Sequence, residues 1–477
     1  MQKKHNINFL IVFLFLFFFF IFKFIYLYFL NLPLSYDEAY YWDWSRALDW
    51  GYYNKPPMIA WIIRISTEIL GNSELAVRLP ALICHILTLL FSYFLIAKHF
   101  DKTKAFFLLI ILSFIPIITV YSFIMTIDPP LILFWILSLY FFCEYLENPD
   151  YRNAFFTGLF IGLGLLTKQT MFGFLILSLV YLIIFNKTFL FRKETFLLFL
   201  IALLIYFPNI YWNYTHQFIL FKHTEEHFTR KTLSLYSFLK FLGGCTLVYT
   251  PLFLVFLFLG IAYTKNLFKK QFSEILDFLY FFSFPPILVL IFLSFFIRLN
   301  VNWILPFVLT GLIFSFVYIS FSQKWKALIF SNLVIGIILS SLVYLLGYFP
   351  QKFPDSLQIL LKKFIGWKVL AEKVEKYYKP GIPIVTKDRS VASSLAFYMK
   401  SHPKVYVVQL EKFPENQYHL WRKTDNLVKK RVIVVKKWLD SPYYLENAKK
   451  LDEVIIKITE KRYKYFSIWE GIFKKLR

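Results

Sequence analysis

From its N-terminus onward the chain is a succession of long apolar runs broken by short polar segments. The runs fall at about 7–30, 80–97, 105–123, 129–146, 154–167, 171–186, 195–213, 235–262, 275–296, 302–320 and 327–349. Most approach the roughly 20 residues a helix needs to cross the hydrocarbon core of a bilayer. A helix also satisfies its own backbone polar groups there. The pattern predicts an all-α polytopic membrane protein with about eleven transmembrane helices. The two runs flanking Lys168 are short, and 235–262 is long enough to tilt or kink near Gly243-Gly244 or Pro251. The first run follows MQKKHN, is too long for a signal peptide and lacks a small-residue cleavage site. It is therefore expected to stay as the first helix.

Two segments depart from this rhythm. The loop 33–79 opens with YDEAYYWDWSRALDWGYYNKPP. Pro56-Pro57 can start a helix, MIAWIIRISTEIL, which Gly71 would close at its C′ position. Its apolar character places it on the membrane surface. Residues 37–49 read as a second interfacial helix with Tyr and Trp at headgroup level. After residue 350, helical patterns (GWKVLAEKVEKYY, SVASSLAFYMK) alternate with short apolar strands (IPIVT, KVYVV, RVIVV, DEVIIKI). Such alternation predicts a small α/β domain over 351–477, after a transmembrane domain over 1–350.

Charge orients the chain. It carries 53 Lys and Arg against 29 Asp and Glu, a net +24. In a soluble protein this would point to nucleic acid, but no basic recognition element is present and 58% of the residues are hydrophobic. Lys and Arg instead collect in cytoplasmic loops. With Lys3 and Lys4 inside, the segments Lys98–Lys104, Lys187–Lys193, Lys265–Lys270 and Lys324–Lys326 are also inside, all basic. The first outer loop holds four basic residues against six acids. Eleven spans then put the N-terminus in the cytoplasm and residues 351–477 outside. Cys84, Cys143 and Cys245 lie in apolar runs and read as small core residues without metal spacing.

This topology sorts the ionisable residues onto one face. Asp37, Glu38 and Lys55 fall in the first outer loop, Asp128 (MTIDPP) at the next outer turn and Lys168 (GLLTKQT) at the one after. His216, His223 and His227 follow, then Arg298 and Asn302 (RLNVNW). Five loops supply polar groups to one membrane face, the pattern of a site at the mouth of a helix bundle. Each residue has a plainer role open to it. Asp128 precedes Pro129 and could cap a helix, Asp37-Glu38 could cap the interfacial one, and Lys55, Arg64 and Lys168 could reach lipid headgroups. The histidines are ordinary surface residues on that view. Capping alone does not account for matched polar groups in the other loops. A lipid-phosphate-linked sugar would use all of them: a carboxylate takes the proton of an attacking hydroxyl, cations meet the departing phosphate, and aromatic rings hold the sugar and lipid.

The segment SYDEAYYWDWSRALDWGYYNKPPMIAWIIRI…GNSELAVRLPAL closely resembles the first extracytoplasmic loop of bacterial glycosyltransferases related to the dolichyl-phosphate-mannose protein mannosyltransferases. The lipid A aminoarabinose transferases belong to the same superfamily. TIDPPLILFW, GLFIGLGLLTKQTMFGFL, WNYTHQFILFKHT, NVNWILPFVLTGLIF and SLAFYMKSHPKVYVV extend the resemblance over most of the chain. It implies a membrane-embedded, GT-C-type inverting glycosyltransferase with a polyprenyl-phosphate sugar donor and an envelope glycan, lipid or protein acceptor. The implied setting is the periplasmic face of a bacterial inner membrane. Asp37 corresponds to the proposed base, Lys55 to a donor-phosphate contact and Lys168 to a second one. Asp128 joins Asp37 as a catalytic candidate, Arg298 joins the phosphate set, and Glu38, Tyr41, His223 and Asn302 line the pocket. In the aminoarabinose branch an acid precedes the loop lysine; here Asn54 does, which counts against a metal contact at this position and against that particular reaction, while a divalent metal elsewhere stays open. A rival class, a transporter or flippase of lipid-linked sugars, predicts mid-membrane charges and repeated halves. A non-catalytic assembly protein predicts altered loop acids.

Overall fold

The computed structural model describes residues 7–226, 233–265, 267, 274–320, 326–411 and 413–474. The chain divides into two compact units: Met1–Leu27, Lys55–Met58 and Arg78–Val343 in one, Tyr28–Asn54, Ile59–Val77 and Tyr344–Arg477 in the other.

The first unit is helical. Six helices are long and apolar enough to cross a membrane among the described residues: Phe9–Phe29, Glu74–His99, Asp128–Glu147, Lys193–Thr215, Glu274–Leu293 and Ala327–Tyr348. The expected count of eleven is not reproduced. The expected span 105–123 is interrupted at Pro116, which cannot continue the i→i−4 bonding and instead starts a new short helix, Pro116–Val120. The run 235–262 forms Leu235–Val248 and Leu252–Thr264, bent by 110° at Thr250 and Pro251, and raises the number to seven if taken as one span. Gln169–Phe185 and Leu305–Ser320 are shorter apolar helices. Tyr151–Leu165, at 15 residues, covers about 22 Å at 1.5 Å per residue, short of a typical core. Cys84, Cys143 and Cys245 are free and buried.

The second unit surrounds a five-stranded mixed sheet: β1 (Ile384–Thr386), β2 (Val405–Val407), β3 (Arg431–Lys437), β4 (Leu445–Thr459) and β5 (Arg462–Phe473), ordered β2-β1-β3-β5-β4. β1 runs parallel to β2 and β3, while β5 is antiparallel to β3 and β4. The alternating apolar residues of β3 meet Trp469 and Phe473 of β5 in one core. Both helical patterns are present, as Trp367–Glu375 and Arg389–Tyr398, and all four anticipated strands form. β5 was not anticipated, although its YKYFSIW run is rich in the aromatic residues that favour strands.

The first-loop helix is Tyr36–Ser45, and here expectation and structure part. Its rings are not displayed at a headgroup level: Tyr40, Trp42 and Trp44 are essentially fully buried within this unit. Trp42 meets the edge of Phe397 on helix Arg389–Tyr398, Trp44 stacks on Tyr52 at 4.4 Å, and the Tyr40 hydroxyl accepts the Gln417 amide. The aromatic density of DEAYYWDW is core density. Helix Met58–Leu70 does leave an apolar stripe exposed at Ile65 and Ile69, and Gly71, at φ +74°, closes it as its sequence position required.

Candidate active site

Helix Tyr36–Ser45 begins with a capping box. Ser35 Oγ accepts from the Glu38 amide at 3.2 Å, and Glu38 Oε2 accepts from the Ser35 amide at 2.8 Å. Two backbone donors that the helix start would leave orphaned are thereby satisfied. Glu38 is fully buried. The capping role open to the acid pair falls to Glu38, not to Asp37.

Asp37 is free of that duty and meets two cations from the C-terminal segment. Its Oδ1 accepts from Arg389 Nη2 at 2.9 Å and its Oδ2 from Lys363 Nζ at 3.0 Å. Arg389 opens its helix beneath the Tyr40 ring, 4.6 Å from the ring centroid, and lies 5.7 Å from that of Tyr36. Burial works against both positive charges. Asp37, helped by Tyr36 at both cations and by Tyr40 and Tyr41 at Arg389, more than offsets it, so the pKa values of Arg389 and Lys363 end above their ordinary values. The carboxylate retains some exposure, 22% of its side chain, whereas the neighbouring Asp43 is fully enclosed between Arg46 and Arg422. Tyr41 is buried against Trp44. Nothing in the residues around 363 and 389 marked them as partners of a carboxylate more than 300 positions earlier.

The helical unit holds a second constellation. Lys168 Nζ donates to Asp128 Oδ1 at 2.8 Å and Asn302 Nδ2 to Asp128 Oδ2 at 3.0 Å. Both members of the ion pair are buried. Three turns far apart in sequence thus converge on one carboxylate. Asp128 does not cap its helix: the cap position falls on Ile127 and no side-chain cap bond forms. Lys168 does not snorkel, being held inward by that pair. The Met58 amide donates to the Leu166 carbonyl at 3.0 Å, which seats the Lys55–Met58 segment against the turn that carries Lys168. Lys55 is half-buried and Arg298 exposed. The Lys168 ammonium has three donors and spends one on Asp128, so two remain for an anion. A lysine missed by the sequence reading, Lys23 in the first helix, is buried and donates to Ser122 Oγ at 2.8 Å; its sign was a lone charge within an apolar run.

His216 stacks on Trp212. His223 sits on helix Ile219–Glu226, but its side chain lies outside the described residues, as does His227 altogether. Asn54 Oδ1, at the position where an acid would be needed, is buried without a hydrogen-bond partner. One neutral oxygen is far short of the carboxylate-rich shell a hard divalent ion takes. Among the described residues the one group of three metal-type ligands is His99, Cys143 and Glu147, which includes none of the candidates above.

Against known proteins, residues 54–212 match the family model of the dolichyl-phosphate-mannose-protein mannosyltransferases. The lipid A galacturonosyltransferase RgtD of Rhizobium johnstonii is 25% identical over 396 residues, covering 80% of this chain and 81% of that one. Two crystal structures of ArnT from Cupriavidus metallidurans share the fold. The apo form has a TM-score of 0.64 at 15% identity, and the form bound to undecaprenyl phosphate has 0.63 at 14%; each covers 94% of this chain and 97% of ArnT. The oligosaccharyltransferase AglB from Archaeoglobus fulgidus gives 0.51 at 13% identity, over 85% of this chain and 66% of its own. These likenesses bear out the resemblance read from the first-loop motifs. The chain is a multi-pass membrane protein of the ArnT-like fold with a small C-terminal sheet.

Proposed function

We propose that the chain is an integral-membrane inverting glycosyltransferase that moves a sugar from a polyprenyl-phosphate donor to an envelope acceptor on the periplasmic face of a bacterial inner membrane. The relatives support the class of reaction: a galacturonosyltransferase by its name, and ArnT by its complex with undecaprenyl phosphate. They lend nothing to a transporter of lipid-linked sugars. The observation that carries the reading is the division of labour in the DE pair. Glu38 is consumed by the capping box, while Asp37 presents a partly exposed carboxylate held by two cations on a rigid, aromatic-packed helix.

The acceptor hydroxyl oxygen attacks the anomeric carbon of the donor sugar as the carbon–oxygen bond to phosphate breaks, with inversion. The hydroxyl proton passes to Asp37, and polyprenyl phosphate departs carrying the bonding pair. Lys55, Lys168 and Arg298 stabilise the charge that develops on the phosphate. Asp128 acts through Lys168: it fixes the ammonium with one hydrogen bond and leaves two for phosphate, so it is a positioning residue. The apolar stripe of helix Met58–Leu70 supports an interfacial seat for that helix. The acceptor is a lipid, a glycan or a protein, with the galacturonosyltransferase relative favouring an envelope glycolipid.

Asp37→Asn tests the base. It keeps the size and one amide oxygen for Arg389 or Lys363, while its NH2 group cannot accept from the other cation and the side chain takes up no proton. Transfer by the purified protein should fall about a hundred- to ten-thousand-fold with thermal unfolding little changed. Transfer near the wild-type rate would remove Asp37 from the reaction.

A further inference from the structure

The sheet-bearing unit contains a cavity of about 300 Å³ that no step above uses. Its walls combine two chemistries. Trp438 and Tyr465 supply ring faces; Lys362, Lys363, Lys437 and Lys464 supply charge, and no acid lines it. Two of these lysines are already neutralised, Lys363 by Asp37 and Lys437 by Asp388. The other two, Lys362 and Lys464, have no carboxylate partner among the described residues. Lys464 Nζ lies 4.2 Å from the Trp367 ring centroid and donates to the Ile365 carbonyl at 2.8 Å.

Trp438 adds an independent sign. It is 65% exposed and sits at φ +74°, a conformation that a bulky residue adopts only against strain. The backbone enforces it: its amide donates to the Tyr465 carbonyl at 2.9 Å, and its own carbonyl accepts from Ser467 Oγ at 2.6 Å. Its ring lies nearly parallel to that of Tyr465, 14° between planes. Beyond that contact with Tyr465, the ring is held out into water at the rim of a basic cavity, which is costly to keep. It does offer a face on which a sugar can stack.

We infer that this cavity binds an acidic saccharide, a sugar ring bearing a carboxylate or phosphate, and that the bound anion draws Lys363 away from Asp37. The ring faces take the apolar side of the sugar and the unpaired lysines take its charge. Lys363 is common to the cavity and to the carboxylate, so an anion within its reach competes with Asp37 Oδ2. The released oxygen is then open to accept the hydroxyl proton. The crowding of positive charge fits this use: burial, then Lys437 and Lys362, pull the Lys464 pKa down to about 8, a repulsion that an anion relieves. This inference rests on the reading of Asp37 as the base and names the acceptor class for that same reaction.

The test separates binding from transfer. Purified full-length protein is titrated with galacturonate, glucose 6-phosphate, inorganic phosphate and neutral galactose, followed by calorimetry and tryptophan fluorescence. The two charged sugars should bind at least tenfold more tightly than either galactose or phosphate alone. Trp438→Gly removes the stacking face while suiting the left-handed backbone, so it should lose that binding yet unfold no earlier than wild type. Lys464→Gln should lose it also. Asp37→Asn frees Lys363 from its competitor, so it should bind the charged sugars at least as tightly as wild type even though its transfer is largely lost. Equal binding of charged and neutral sugars, phosphate binding as tightly as the sugar phosphate, or unchanged binding in Trp438→Gly would each overturn the assignment. None of these outcomes bears on Asp37→Asn transfer, which judges the base alone.

Discussion

At the scale of single residues, the buried pair Asp128–Lys168 is where structure and chemistry are hardest to tell apart, because one lysine is asked to do both. Removing one member of a buried ion pair leaves an uncompensated charge and costs about 3–5 kcal/mol, a penalty that is lifted when the other charge is removed as well. Lys168→Ala should therefore lower the thermal midpoint in detergent markedly, and adding Asp128→Ala should restore much of the loss. Donor use should not return with it: the double variant recovers stability and stays defective in binding the polyprenyl-phosphate sugar. Recovery of both would make the pair purely structural. The sequence disclosed each of these residues by type and by expected side, yet not their pairing. Asp128, Lys168 and Asn302 are joined by hydrogen bonds across 40 and 174 positions, and no local pattern encodes such a partner. The cations on Asp37 were hidden for the same reason.

At the scale of elements, local signals were dependable where the backbone alone decides. Gly71 ended its helix with a left-handed residue, and all four anticipated strands of the C-terminal sheet appeared. Exposure was misjudged wherever packing decides, as in Tyr36–Ser45, since a Trp-rich helix suits an interface and a core equally well. The capping box of that helix yields its own prediction. Ser35→Ala removes one cap bond and should cost about 1 kcal/mol, loosening the turn that carries Asp37. Glu38→Gln keeps an oxygen for the Ser35 amide and should leave both stability and transfer largely intact, while Glu38→Ala should resemble Ser35→Ala. Thermal unfolding and initial rates of the three proteins check this together. A severe loss of transfer in Glu38→Gln at normal stability would instead assign Glu38 to the substrate.

At the scale of the whole molecule, hydropathy identified a polytopic protein, while its count of eleven spans is not confirmed among the described residues, for a physical reason. Apolar length registers how much chain lipid can accept, but not where Pro116 or the Thr250–Pro251 bend interrupts the hydrogen-bond ladder. With six or seven long helices among the described residues, parity no longer assigns a side to the C-terminal segment, and only the charge asymmetry of the loops does. That asymmetry predicts Lys102 in the cytoplasm and Tyr443 in the periplasm. Both are exposed, and the three native cysteines are buried and should stay silent to a thiol reagent. A membrane-impermeant maleimide applied to spheroplasts should therefore label Tyr443→Cys at once, and Lys102→Cys only after permeabilisation. The opposite pattern would place the Asp37-bearing sheet unit in the cytoplasm. There the attacking hydroxyl of an envelope acceptor could not reach it, and the proposed reaction would have to be abandoned along with the orientation.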